Sequence, residues 1–150
     1  MNHDEAFESF VHRIEPGLRR ALTGHLAAEQ IPDALAEAFA YAWQHRERVM
    51  AMSNPSGYLY RVAQSKSRVR KQGWLPWSSD HELPDVEPGL DAALGALSPA
   101  QLKSVWLVHG CGWSYAETAT ALDVSASTVG SHLARAMQHL RDRLGVATNG

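Results

Sequence analysis

The sequence predicts an all-α protein of two small helical domains joined by a Pro-rich acidic linker. Three observations carry that expectation. Apolar residues recur at helical spacing along most of the chain, and no segment alternates as a strand would. Charge is unevenly spread: between Arg48 and Ser79 no residue is acidic, whereas between Gly73 and Leu97 stand Asp80, Glu82, Asp85, Glu87 and Asp91 without one Lys or Arg. Where the two regions meet lies "GWLPWSSDHELPDVEPG", whose Pro76, Pro84 and Pro88 exclude a long helix. The domains therefore fall at about residues 1–72 and 91–147, with 73–90 as linker. Each is small enough to be marginal alone.

The elements follow in order. "HDEAFESFVHRI" places Phe7, Phe10, Val11 and Ile14 on one face, and Pro16 with Gly17 ends or breaks that helix. A second helix runs from about Leu18 to Ala28. "IPDALAEAFAYAWQHRERVMAM" is the third, with Pro32 at its start and Leu35, Phe39, Ala42 and Trp43 at core spacing. "SNPSGYLYRVAQSKSRVRKQG" is the fourth, reached through the turn residues Asn54, Pro55 and Gly57. Beyond the linker, Ser98 caps a helix that opens with Pro99 and ends at Gly110 or Gly112. "SYAETATAL", a turn "DVS" and "SASTVGSHLARAMQHL" follow.

These last three segments have the layout of a helix-turn-helix: two helices joined by a tight turn, the second starting with small polar residues. Ala119 is small where the helices would cross, and Leu122, Val124, Val129 and Leu133 supply an apolar wedge. Asp123 occupies a turn position that requires a left-handed backbone, and Ser114 and Ser125 are placed to cap the helices they precede. Burying Val129 and Leu133 turns Ser127, Thr128, Gly130, Ser131, His132 and Arg135 outward in varying degree, towards a major groove. An ordinary capped helical hairpin has the same pattern.

In the first domain, Arg61, Lys66, Arg68, Arg70 and Lys71 lie without a nearby acid in sequence, an arrangement suited to phosphate contact. Tyr58 and Tyr60 are candidates to stack on unpaired bases, one of the pair being expected in the core. The acidic linker, with Trp74 and Trp77, could follow a basic surface, either on a partner or on the chain's own DNA-binding face. Total charge does not by itself point to nucleic acid, because 14 Lys and Arg face 16 Asp and Glu, a formal net charge of -2.

Enzymatic classes find little support. The eight histidines show no metal-ligand spacing with the single cysteine, Cys111, and no phosphate loop, nucleophile elbow or paired-carboxylate motif is present. No catalytic residue, metal or cofactor is expected. One cysteine forms no internal disulfide, no basic-apolar leader opens the chain, and no apolar run approaches the roughly 20 residues that span a bilayer. A cytoplasmic protein without membrane contact or small-molecule substrate is the expectation.

In this order, "DALAEAFAYAW", "NPSGYLYRVAQSKSRVRKQ" and "LSPAQLKSVWLVHGCGWSYAETATALDVSASTVGSHLARAMQHLR" resemble the sigma-70 family, in particular the two-domain extracytoplasmic-function (ECF) sigma factors. The resemblance implies a sigma2-like helical bundle and a sigma4-like helix-turn-helix, with core RNA polymerase and promoter DNA as partners and an anti-sigma factor as a further candidate. It matches Asp33, Glu37, Phe39 and Trp43 to the polymerase-binding segment. Tyr58, Leu59, Tyr60, Arg61, Ala63 and Arg70 match the helix that meets the downstream promoter element. In the second domain Tyr115, Glu117, Ala119, Thr128, Val129, Ser131, Leu133, Arg135 and Ala136 match, and the last helix would read the upstream element. The chain departs from the family at Ala36, where Gln is frequent, at Ser65 and Val69 in the melting helix, and at Gly130 and His132, where the family is basic. Two other readings stay open: a LuxR-like regulator, which "STVGSHLARAMQHLRDRLGV" also resembles, and a sigma-like protein-interaction module.

Overall fold

The first helix, α1 (His3–Leu22), runs straight through Pro16. This corrects the expected break at Pro16 and Gly17 and the separate helix after it. An interior proline costs a helix about 3 kcal/mol, but Phe10, Ile14, Leu18 and Leu22 form one buried stripe that spans it. Each such side chain contributes roughly 1.5–3 kcal/mol on burial, so keeping the stripe continuous outweighs the lost bond. Asn2 caps the start, its Oδ1 accepting from the Glu5 amide at 2.7 Å.

The computed structural model describes residues 2–24, 26–66 and 89–145, apart from the side chains of Lys66, Leu90 and Asp91. After a 3-10 turn at Ala28–Gln30 come α2 (Ile31–Gln44), α3 (Arg46–Met50) and α4 (Pro55–Lys66). The single third helix expected from sequence is thus two. His45 leaves the helical backbone at φ -119°, ψ 30°, which turns α3 back onto α1 and buries Val49 completely. Gly57, expected in the turn ahead of the fourth helix, lies inside α4 instead.

In the second half, α5 (Leu90–Gly95) precedes α6 (Pro99–Val105), whose backbone widens into a π-helical turn at Trp106–Gly110. α7 (Tyr115–Leu122) and α8 (Ala126–Leu144) end the described chain. Ser98 caps α6 as the sequence implies, in a reciprocal arrangement with Gln101: each backbone amide donates to the other's side chain, at 3.1 and 3.2 Å. The fold is all-α, with no strand among the described residues.

The main core belongs to neither half alone. Phe10, Leu18, Leu22, Leu35, Leu59 and Tyr60 from the first half form one buried cluster with Leu107, Trp113 and Ala121 from the second. Tyr60 meets Trp113 edge-on, with ring centroids 5.8 Å apart at 79°. The Trp106 indole N–H donates to the Ala21 carbonyl at 3.2 Å, and Arg20 Nε donates to the Gly110 carbonyl at 2.8 Å. Two smaller clusters hold the second half together: Leu94, Leu97, Leu102 and Ala136 tie α5 and α6 to α8, and Ala119, Val129 and Leu133 tie α7 to α8.

Leu18→Ala should lower stability by about 2–5 kcal/mol in urea denaturation, because it empties a fully buried site. Pro16→Ala should shift the urea midpoint upward, restoring a helix hydrogen bond at an exposed position without touching the stripe. An unchanged midpoint in the second variant would mean that α1 carries no strain at Pro16.

Candidate nucleic-acid interface

α7, the turn and α8 form the helix-turn-helix that the sequence predicts. Ser114 Oγ accepts from the Glu117 amide at 3.0 Å and Ser125 Oγ from the Thr128 amide at 3.1 Å, so each helix begins at a serine cap. Asp123 closes α7 with a left-handed backbone, φ 57° and ψ 47°. Ala119 packs against Val129 and Leu133 where the helices cross. The wedge is narrower than expected: Val124 is exposed and Leu122 half-buried, because the turn carries Val124 past the helix crossing.

Seating Val129 and Leu133 leaves Ser127, Ser131 and Arg135 exposed at i, i+4 and i+8, one outward stripe on α8. Ser131 Oγ donates to the Ser127 carbonyl at 3.2 Å, which keeps its oxygen free to accept. Thr128 is half-buried, its hydroxyl 2.8 Å from that of Ser125. Gly130 and His132 flank the stripe and are also half-buried. Gly130 faces Tyr115, and His132 lines a hollow with Pro99, Lys103, Leu122 and Val124. Arg135 is the one cation on the stripe.

On α4 the candidates separate. Tyr60 is completely buried against Trp113 and is part of the core. Tyr58 is half-buried and hydrogen-bonded to Tyr41, their hydroxyls 2.8 Å apart, while Arg48 donates to both, at 3.2 Å and 2.7 Å. With Arg61, Val62 and Ser65 the two tyrosines line an open hollow of about 260 Å³. Its rim is cationic and its wall aromatic, a combination able to hold a phosphate beside a stacked base. Arg61 is exposed but not unpaired: Asp123 of the helix-turn-helix lies 3.7 Å away. The sequence shows no acid near Arg61, because this partner stands 62 positions later and only folding brings it close. The Lys66 side chain, Arg68, Arg70, Lys71 and the linker with Trp74 and Trp77 lie outside the described residues.

The candidate polymerase-binding residues lie on α2. Asp33 and Glu37 are exposed one turn apart, Phe39 packs half-buried on the main core, and Trp43 is exposed. Trp43 meets Phe7 edge-on at 5.1 Å and carries the Arg46 guanidinium over its ring at 4.2 Å, so it forms an aromatic surface step with a cation on top. Sequence reasoning missed Arg48, Arg20 and Trp113. Arg48 was visible only as one more basic residue, and the other two act across the joint between halves. Among the described residues no group of His, Cys, Asp and Glu could hold a metal, and no helix is long and apolar enough to cross a membrane.

Residues 89–140 match the family model of sigma-70, region 4. In fold the chain is similar to the sigma factor RpoE of Bartonella quintana, solved with the anti-sigma factor NepR: the TM-score is 0.63 at 20% identity, over 95% of this chain and 98% of that one. It is equally similar to CnrH, solved with the cytosolic domain of CnrY, with a TM-score of 0.63 at 20% identity over 98% of this chain and 92% of that one. No curated protein matches the sequence.

Two groups, one in the α4 hollow and one on the main core, stay protonated at neutral pH. The hydrogen bond with Tyr41, followed by burial, raises the Tyr58 phenol above its usual range, so Tyr58 meets a ligand neutral. Burial pushes the Cys111 thiol up to about 12, against the opposing pull of Arg20. An unfolded chain would ionise that thiol near 9.0 while the folded chain keeps its proton. Above pH 9 the unfolded state therefore binds fewer protons, and stability falls as pH rises towards 12. Urea titrations from pH 8 to 10.5 should show a shallower decline for Cys111→Ala than for the wild type.

Proposed function

We propose that this chain, which carries a sigma-70 region 4 at residues 89–140 on a fold shared with the sigma factor RpoE and with CnrH, is an ECF-type sigma factor. It binds core RNA polymerase and directs it to particular promoters. The observation that carries this reading is the region 4 match falling on an intact helix-turn-helix whose Ser127, Ser131 and Arg135 stripe is open to a major groove. In this reading residues 1–72 supply the polymerase-binding α2 and the promoter-contacting α4, and residues 91–147 read the upstream element. An anti-sigma factor is a further partner, by likeness to the RpoE complex. The chain acts as a binding subunit in the cytoplasm and performs no chemistry of its own.

With a single cation on its stripe, α8 gains little from counterion release. Its serine hydroxyls and Arg135 contribute recognition more than affinity, and polymerase supplies the rest. Arg61 and Arg48 would steer the single strand on α4, with Tyr58 as the stacking surface.

Size-exclusion chromatography with core RNA polymerase, followed by permanganate footprinting on genomic fragments, should give co-elution and a melted region. DNA binding without polymerase would identify a regulator, and neither activity an interaction module. Arg135→Ala should weaken promoter binding and reduce the slope of log affinity against log salt by about 1. An unchanged slope would remove α8 from the DNA.

A further inference from the structure

The corner where α2 ends and α3 begins carries an open hollow of about 380 Å³, lined by Gln44, His45, Arg46, Glu47 and Arg48. Both of its guanidiniums are held in place by aromatic residues. Arg46 Nη1 donates to the Trp43 carbonyl at 2.9 Å, and the guanidinium lies over the Trp43 ring at 4.2 Å. Arg48 Nη2 donates to the Tyr41 and Tyr58 hydroxyls, which leaves its Nε and Nη1 donors unspent among the described residues. Among those residues neither arginine forms an ion pair, although Glu47 stands between them in sequence and lines the same hollow. Two like charges lining one hollow repel each other until an anion joins them. Guanidiniums already fixed in position suit a phosphate, whose oxygens accept from both forks.

The same corner continues the aromatic wall of the α4 hollow. Tyr58 and Tyr41 have ring centroids 6.1 Å apart, and the His45 ring follows at 4.4 Å from that of Tyr41. Arg48 belongs to both places: it lines the corner, and its Nη2 bonds the two phenols that wall the α4 hollow. His45 sits at the break in the helical backbone and is exposed. Rings placed in this way stack on bases that have left their duplex, since paired bases offer no open face.

We propose that this corner is a second nucleotide site, at which Arg46 and Arg48 take a phosphodiester of single-stranded DNA and the His45 ring carries the adjoining base, next along the strand from the nucleotide in the α4 hollow. The proposal rests on the reading of α4 as a DNA-contacting helix and extends the strand's path across α3. Arg48 is the point the two sites share, its Nη2 committed to the tyrosines and its remaining donors turned to the phosphate.

Fluorescence anisotropy of the full chain with a short fluorescein-labelled oligothymidylate, over a range of salt, tests this. Arg46→Gln should weaken binding and reduce the slope of log affinity against log salt by about 0.7, the share of one phosphate contact on a single strand. Arg46→Lys keeps the charge and should keep the slope. His45→Ala should lower affinity about fivefold or more at unchanged slope, and should leave binding to the corresponding duplex as it was. Arg13→Gln is the control: Arg13 also lies over an aromatic ring, that of Phe10 at 5.7 Å, but lines neither hollow, and its variant should match the wild type.

A wild-type chain that does not bind the oligonucleotide, or an Arg46→Gln slope equal to that of the wild type, overturns the site. Displacement of the strand by inorganic phosphate as effectively, per phosphate, as by unlabelled oligonucleotide overturns it too, in favour of a free-anion site. If Arg46→Gln binds the strand normally but no longer co-elutes with core RNA polymerase, the corner is a protein interface instead. Arg61→Gln reports separately on α4. If it leaves affinity unchanged while Arg46→Gln lowers the slope, the reading of α4 fails and the corner alone holds the strand; the reverse pattern keeps α4 and removes the corner.

Discussion

The contact of α7 with α4 is the constraint on which the rest of the structure depends. It places Trp113 against Tyr60, brings Leu107 and Ala121 into the core built by α1, α2 and α4, and carries Asp123 to Arg61. Remove it and two short helical units remain, one with most of the apolar residues and the other with two small clusters around α8. Small domains bury too little surface to be robust alone. Sharing a core resolves that shortage by tying α7 to α4.

Polar contacts across the joint are few but directional. Trp106 and Arg20 both satisfy carbonyls, one at the end of α1 and one at the end of the π-helical turn. Helix ends expose such carbonyls and need partners. Here each half supplies the other's. The widened turn at Trp106–Gly110 matters for the same reason: it directs Trp106 towards α1 while Leu107 enters the core.

Charge explains the division of labour between the candidate DNA surfaces. The outward stripe of α8 offers hydroxyls and one arginine, whereas the α4 hollow combines Arg61 with an aromatic wall whose tyrosine hydroxyls accept from Arg48. The near-neutral total charge conceals this, because a sum over the chain discards position. Tyr58 and Tyr60, two residues apart, divide by helix geometry: Tyr60 turns into the joint and Tyr58 towards Tyr41 and Arg48.

Local chemistry was legible in the sequence wherever a residue acts on its own neighbours. Serine caps at Ser98, Ser114 and Ser125, the left-handed Asp123, the small Ala119 at the crossing and the all-α class all follow from short-range rules, because their causes lie within a few residues. Tertiary structure decided the rest. It kept α1 whole through Pro16, because a buried stripe outweighs one lost hydrogen bond, and bent the chain at His45 so that Val49 could bury. It moved Gly57 from a turn into a helix crossing, and gave Arg61 an acid 62 positions away. Each of these depends on surfaces that meet only when distant segments pack, and no spacing in the sequence records that meeting.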